Sequence, residues 1–461
     1  MGLLLDPPIA TKIRKMRSRV RWGESALQER GIDQTRLSIA DGLAATSAFS
    51  FLVIGDSGFG PQPFGHPQQE LAEYLADQME DCRFLLHTGD VVYQMGAAEQ
   101  YPVNFVEPYQ KWLIQGDRPT TYRNLTFRKP FLAVPGNHDY YNVPFPYGFL
   151  VAGIRPLRRL FNVPVTQNVS LRGSATGDVY ARAFLDYLQD HSPRKLSAHL
   201  DQHYTTQTDS GRSLTYRPGE FTRLPNRYYH FRYGGIDFFG LDSSTFNRPV
   251  AIDGSDVLTA EKPDQDLTQD IDWHQLFWLR DRLVNSLYNP QVKGRIIYLH
   301  HPPYVTEGSK YHETACFSVR RHLRWVLDAV SQRLDDEPSG PLVDLVISGH
   351  AHCFEYLRTV ETGHSDRDLN WIICGGSGAR LRVQHPDHTT VIEKQGAEEK
   401  AIAKSQIYIG RHGTQADTRW SYSFLRVDVK LGDRPQWVIR PFVTELYRET
   451  WTRSEFAPLV L

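Results

Sequence analysis

The sequence predicts an α/β fold, on three observations. From residue 50 onward, short apolar runs alternate with stretches of helical periodicity. The last third adds extended runs suited to pairing. Five of the apolar runs end in polar clusters, and in open α/β sheets sites form beyond the carboxyl ends of the strands.

The first 48 residues differ in pattern from the rest of the chain. Residues 12–22 carry Lys12, Arg14, Lys15, Arg17, Arg19 and Arg21, with Ile13, Met16 and Val20 spaced for one helical face. One reading is a basic amphipathic helix in weak contact with a membrane surface or an acidic partner. The preferred reading is a helix packed on the domain with its charged face solvated. Strands are expected at 51–54, 84–87, 131–134, 236–241, 296–299, 345–347, 371–374, 424–429 and 437–442. Helices are expected at 68–80, 272–287 and 318–334. Between 141 and 227 the alternation stops. This stretch holds a basic patch (Arg155, Arg158, Arg159) and one helical pattern at 179–191, and is expected to be an insertion. The expected organisation is an extension at 1–48 and then one domain at 49–461, a length suited to a large core with insertions.

Composition narrows the function classes. Lys plus Arg number 52 and Asp plus Glu 53, a net charge of −1, so no global charge signals nucleic acid or a membrane, and no nucleic-acid partner is expected. Cys82, Cys316, Cys353 and Cys374 form neither a CxxC pair nor a zinc-ribbon spacing, and read as free thiols of a reducing compartment. The apolar run at the N-terminus is too short for a signal peptide, and Asp6 stands where a myristoylation signal wants Ser or Thr. No apolar run approaches membrane-spanning length. The expected location is cytoplasmic.

The chemistry lies in the five clusters: Gly55-Asp56-Ser57-Gly58, Gly89-Asp90-Val91-Val92-Tyr93, Gly136-Asn137-His138-Asp139, His300-His301-Pro302-Pro303 and Gly349-His350-Ala351-His352. Convergence would bring together carboxylates, imidazoles, an amide oxygen and a phenol. That mixed O/N set suits Fe, Mn or Zn and lacks the thiolates of a structural zinc site. Each cluster alone reads as a turn or a satisfied core residue. Their order, each after a strand, favours a joint ligand set. Gly375-Gly376-Ser377-Gly378 has neither a P-loop lysine nor a GxGxxG frame and reads as structural. No GxSxG elbow is present, which weighs against a serine hydrolase.

The ordered motifs resemble the calcineurin-like metallophosphoesterase superfamily over roughly residues 50–445, insertion excluded. The variant is most similar to purple acid phosphatases: Gly58 stands where most of the superfamily has a ligand histidine, and Tyr93 supplies the replacement. The resemblance implies a four-layer α/β/β/α sandwich with a dinuclear metal site at the carboxyl ends of strands. It implies one ion, expected to be Fe(III), on Asp56, Asp90, Tyr93 and His352. A second, divalent ion (Zn, Mn or Fe) would take Asp90, Asn137, His300 and His350, with Asp90 as the bridge. His300 is preferred to His301 because the family places its histidine two residues before a proline, here Pro302. The implied reaction is hydrolysis of a small-molecule phosphate ester by a water activated between the ions. His138 is the expected general acid or phosphate clamp, and His312 the expected second substrate histidine.

Two features depart from the family. Many purple acid phosphatases are exported, whereas no export signal is read here. The insertion is long and opens with Tyr140, Tyr141, Phe145 and Tyr147, which either form a lid or, as preferred, pack a small core of their own. The leading expectation is a phosphomonoesterase. The alternatives are a phosphodiesterase or nucleotide hydrolase on the same site and, from another class, an inactive regulatory or binding protein on the same fold.

Overall fold

The computed structural model describes residues 4–43, 48–114, 122–143, 173–249, 270–336, 340–395, 398–414 and 417–461. Phe145, Tyr147, Arg155, Arg158 and Arg159, which carried part of the expected insertion, lie outside the described residues.

Two sheets face each other. The larger has eleven strands in the order Thr390–Gln395, Glu398–Ile409, Phe354–Thr359, Asn370–Cys374, Leu345–Ser348, Gly294–Tyr298, Ile236–Gly240, Tyr229–Tyr233, Ile32–Ile39, Gly211–Tyr216, Thr206–Thr208. The smaller runs Thr450–Glu455, Gln436–Tyr447, Arg419–Lys430, Ala48–Ile54, Leu85–His87, Phe131–Ala133, with Arg411–His412 and Leu459–Val460 paired on its long strands.

Alternation along each strand sets the layers. In the larger sheet Phe238, Ile296, Leu345, Ile347 and Ile372 join the core shared with the other sheet. Their neighbours Phe239, Ile297, Val346 and Ile373 face the opposite way, toward the helices Trp273–Tyr288 and Thr314–Ser331. Between the sheets Phe51 stacks on Phe84, and both meet Phe238 edge-on. On the far side of the smaller sheet the helix Pro67–Asp77 sets Tyr74 edge-on against Phe424 and Phe442. The result is the expected order of helix, sheet, sheet, helix.

The helices start where local chemistry says they should. The Asp272 carboxylate accepts the N–H of Gln275 and caps Trp273–Tyr288. Pro67 occupies the first turn of its helix, where its missing N–H costs nothing.

Two stretches read differently in three dimensions. The segment 1–48 supplies Ile32–Ile39, an interior strand parallel to both Gly211–Tyr216 and Tyr229–Tyr233. Its helix Ile9–Arg19 buries Ile9, Ile13 and Met16, together with Lys12 and Arg19. Arg21 also turns inward, donating to the carbonyls of Leu188 and His191. Residues 173–227 carry helices Asp178–Phe184 and Pro193–His203 and the strands Thr206–Thr208 and Gly211–Tyr216. These strands escape a sequence reading because they lie at the sheet's edge and are largely polar. Among the described residues no helix is long and apolar enough to cross a membrane.

Candidate metal centre

The parallel parts of the two sheets end at one place. Ala48–Ile54, Leu85–His87 and Phe131–Ala133 run in register, with Ile54 beside His87 and His87 beside Ala133. Asp56, Asp90 and Asn137 therefore leave the smaller sheet side by side. In the larger sheet Ile347 is beside Tyr298, and the Gly349 N–H donates to the His300 carbonyl at 2.9 Å. His300 and His350 leave together in turn. Asp56, Asp90 and His350 have φ of 54°, 52° and 66°, the left-handed region that side-chain-bearing residues rarely adopt and that clusters at functional sites. Glycine makes room for the carboxylates: a Cβ at Gly136 would lie 2.2 Å from Asp90 Oδ1, and one at Gly349 would lie 2.5 Å from Asp56 Oδ2.

One half of the centre holds Asp56, Tyr93 and His352. The Tyr93 hydroxyl donates to Asp56 Oδ1 at 2.7 Å and lies 3.1 Å from His352 Nε2. His352 Nδ1 donates to the Arg380 carbonyl at 2.9 Å, which leaves the Nε2 lone pair facing the phenol. Gly58 cannot carry a side chain here, since its Cβ would meet the Val91 carbonyl oxygen at 2.0 Å.

The other half holds Asp90, Asn137, His300 and His350. His300 Nδ1 donates to the Thr88 carbonyl at 3.0 Å, so Nε2 presents a lone pair. That lone pair faces Asn137 Oδ1 at 2.9 Å, His350 Nδ1 at 3.1 Å and Asp90 Oδ2 at 3.3 Å. Asn137 is oriented by its amide N–H, which donates to the Tyr141 hydroxyl. His350 is oriented by Nε2, which donates to Glu313 Oε2 at 2.6 Å. Four acceptor atoms thus point at one another, and buried Asp90 Oδ2 has no hydrogen-bond partner. Ligand atoms of Asp56, Asp90 and His300 all lie within 4.8 Å of one another. This donor set fits metal cations, which satisfy acceptors that no hydrogen can.

Electrostatics agree. Burial and the neighbouring Asp90 raise Asp56 to about 8. Burial pulls His300 down, but Asp90 and Asp56 outweigh it and lift the imidazole to about 9. Against its own burial, Asp90 is held well below the ordinary carboxylate range by His300 and His138, while burial keeps His350 and His352 low, so the cluster favours neutral His350 and His352 beside a charged Asp90.

The other expected residues surround this cluster at varying distance. His138 borders Asp90: its N–H donates to Asp90 Oδ1 at 2.8 Å and its Nε2 stands 3.9 Å from Asp90 Oδ2. His138 Nδ1 donates to the Gln94 carbonyl. His301 is bonded to Ser243 through Nδ1 at 2.8 Å and to Asn247 through Nε2 at 3.2 Å, with a ring nitrogen within 4.8 Å of ligand atoms of His300 and His350. Its ring lies 4.4 Å from that of His350. Among the described contacts His312 stands edge-on to Tyr311, 4.7 Å between centroids, and to His385 at 6.3 Å. The glycine-rich turn packs beneath Asp56: Ser377 Oγ accepts from Gly55 and donates to the Ser423 carbonyl. All four cysteines are buried and free, and burial pushes the Cys353 and Cys374 thiols upward.

Residues missed in the sequence are Asp139, Lys310 and Glu313. Asp139 accepts from Gly136 N–H at 2.9 Å and Val91 N–H at 3.2 Å, tying two ligand loops together. The acidic residue closing Gly-Asn-His-Asp could have been read this way, as a local loop tie.

A model of the calcineurin-like phosphoesterase family matches residues 49–354. Among solved structures the chain is similar to purple acid phosphatase PPD1 from yellow lupin (Lupinus luteus) seeds, at 13% identity and TM-score 0.46, over 87% of this chain and 52% of that one. It is similar to GAP50, the anchor in the inner membrane complex of Plasmodium, at 13% identity and TM-score 0.42, over 89% of each chain. It is also similar to PhoD, at 11% identity and TM-score 0.44, over 91% of this chain and 70% of that one. The chain therefore spans about half the length of the lupin phosphatase. No curated protein matches its sequence.

Proposed function

The chain belongs to the calcineurin-like phosphoesterase family, matched over residues 49–354, and from that premise we propose that it is a phosphomonoesterase of the purple acid phosphatase type. The observation that carries this reading is the Tyr93 hydroxyl between Asp56 Oδ1 and His352 Nε2, with Gly58 too closely packed to supply a side chain. A hard phenolate suits a trivalent ion, so Asp56, Asp90, Tyr93 and His352 would hold Fe(III). Asp90, Asn137, His300 and His350 would hold a divalent Zn, Mn or Fe ion. When bound, the two ions supply a water acidic enough to act near neutral pH and a clamp on phosphoryl oxygens.

The chain's own residues do the rest. Asp90 Oδ1 is fixed by the His138 N–H, which leaves Oδ2 between the two halves. His138 is anchored through Nδ1; in its imidazolium form, which burial disfavours and Asp90 favours, it would give its Nε2 proton to the departing alkoxide oxygen. The substrate is a small-molecule phosphate ester.

The test combines metal analysis, a visible spectrum and turnover of p-nitrophenyl phosphate against its bis-ester. The reading expects two ions per chain, a phenolate-to-iron absorption band that Tyr93→Phe abolishes, and faster turnover of the monoester. A colourless protein fully active with two divalent ions would remove the iron assignment. Turnover of the diester alone would replace the monoesterase with a phosphodiesterase or nucleotide hydrolase, and a metal-loaded protein inactive on a broad ester panel would point to a binding protein.

A further inference from the structure

The loop after His300 brings a cation to the centre. Glu307 shapes it: its carboxylate accepts the Ser309 N–H and hydroxyl, both at 2.8 Å, and its carbonyl accepts the N–H groups of Lys310 and Tyr311. The Lys310 carbonyl then accepts the Glu313 N–H at 3.0 Å. In such consecutive turns residues three apart share a side. Lys310 and Glu313 face the centre, whereas Tyr311 stacks on His388 at 5.0 Å and carries His312 with it.

The inward pair is joined to a candidate ligand. Lys310 Nζ donates to Glu313 Oε1 at 2.9 Å, and Glu313 Oε2 accepts from His350 Nε2 at 2.6 Å. Lys310 is thus two hydrogen bonds from His350. An ammonium has three N–H donors. One goes to Glu313, and the side chain is 20% exposed, so the others are open to an anion arriving from solvent.

We infer that Lys310 is a substrate-binding cation of this centre, holding the phosphoryl oxygens together with His138, and that Glu313 is the positioning residue that locks both Lys310 and His350. The inference rests on the phosphoesterase reading and assigns to Lys310 the part expected of His312. The Glu313 contact has a clear purpose. A carboxylate on one nitrogen of a ligand histidine fixes the tautomer and the ring, here leaving Nδ1 as the donor atom. Glu313 has a second oxygen, and spending it on Lys310 couples the phosphate clamp to the ligand's orientation.

The test is inorganic phosphate binding by the metal-loaded protein, read by calorimetry beside metal content and the absorption spectrum. Lys310→Met is expected to weaken phosphate binding by about 10- to 100-fold, the loss of a charge-assisted hydrogen bond, with metal content and spectrum unchanged. Lys310→Arg should restore most of the affinity. Glu313→Gln should lower affinity for the divalent ion by about 10- to 100-fold. Unchanged phosphate binding in Lys310→Met overturns the inference, and so does loss of metal in that variant, which would make Lys310 structural. Phosphate binding needs no turnover, so a protein that binds phosphate through Lys310 but hydrolyses no ester would sink the catalytic reading alone.

Discussion

Two buried acid clusters lie on either side of one loop, and they solve the same electrostatic problem in opposite ways. Asp242 and Asp272 face Arg227, whose guanidinium is 1% exposed and bonds to both. Asp56 and Asp90 face imidazoles, an amide and a phenol, with no guanidinium or ammonium bonded to either carboxylate among the described contacts. Tyr140 joins the two, three residues beyond Asn137, donating its hydroxyl to Asp242 at 2.6 Å. A cluster that carries its own cation is scaffold. One that leaves a buried carboxylate oxygen, Asp90 Oδ2, beside imidazole and amide lone pairs with no donor is built for cations from outside.

Removing a carboxylate from each kind of cluster should therefore have opposite consequences. Asp90→Asn should cut phosphatase activity by on the order of a thousandfold or more and reduce bound metal. Asp56→Asn, by contrast, should leave the melting temperature of the chelated protein unchanged or raised at neutral pH, because burial and Asp90 already disfavour the Asp56 charge. Metal analysis and thermal melts in chelator read both. A chelated Asp56→Asn protein that unfolds at much lower temperature would place Asp56 in the scaffold and erase the distinction.

The next effect falls on the other cluster. Arg227→Leu should cost about 3–5 kcal/mol, since it strands Asp242 and Asp272 without their cation. Adding Asp242→Asn and Asp272→Asn should recover part of the loss. Denaturant unfolding measures it, and a cost below about 1 kcal/mol would mean that Arg227 does not hold the cluster together.

Glu355 shows a third way to bury a carboxylate. It is fully buried, accepts from the Thr306 hydroxyl and from its N–H at 3.0 Å, and has no cation bonded to it among the described contacts. Burial, aided by Glu307, raises it to about 7. Its acid form is favoured in the fold. Its contribution is therefore full below the ordinary glutamate value near 4.5, declines as pH rises, and is gone above about 7. The shift corresponds to about 3 kcal/mol. Stability of the wild type should fall across that window, and Glu355→Gln should flatten the fall. An equal slope in both proteins would assign the window to another group.

The centre was legible in the sequence to the extent that its parts are local. Asp56, Asp90, Asn137, His300 and His350 each come a few residues after a strand, and a glycine precedes all of them except His300. Gly58 and Tyr93 could be read together only through the resemblance to purple acid phosphatases, since nothing in their spacing links a missing side chain to a phenol. Lys310 and Glu313 could not. Which side of their loop faces inward is settled by the Glu307 cap and by Tyr311 stacking on a residue far along the chain. The strand Ile32–Ile39 escaped for a related reason: its mixed polar sequence acquires meaning only between its two partners.

Lys12 gives the finest test of the comparison. It is fully buried, pairs with Asp6 at 2.6 Å, donates to the Ser244 carbonyl at 3.1 Å and lies 5.2 Å from the Tyr140 ring. Burial lowers its proton affinity, and Asp6 and then Asp242 only partly offset this. For a cation lowered in the fold the charged form is the disfavoured one, so holding the charge at neutral pH costs stability, and the cost fades as pH rises toward 10.5. Its partner Asp6 is 33% exposed, so solvent weakens the attraction that compensates it. The helix is anchored instead by Ile9, Ile13 and Met16. Lys12→Met keeps the apolar stem and drops the desolvated charge, and should change stability by no more than about 1 kcal/mol at neutral pH. A loss above about 3 kcal/mol, measured by denaturant unfolding, would make Lys12 a second resident cation of the Asp242 cluster, and the scaffold would then rest on two internal charges.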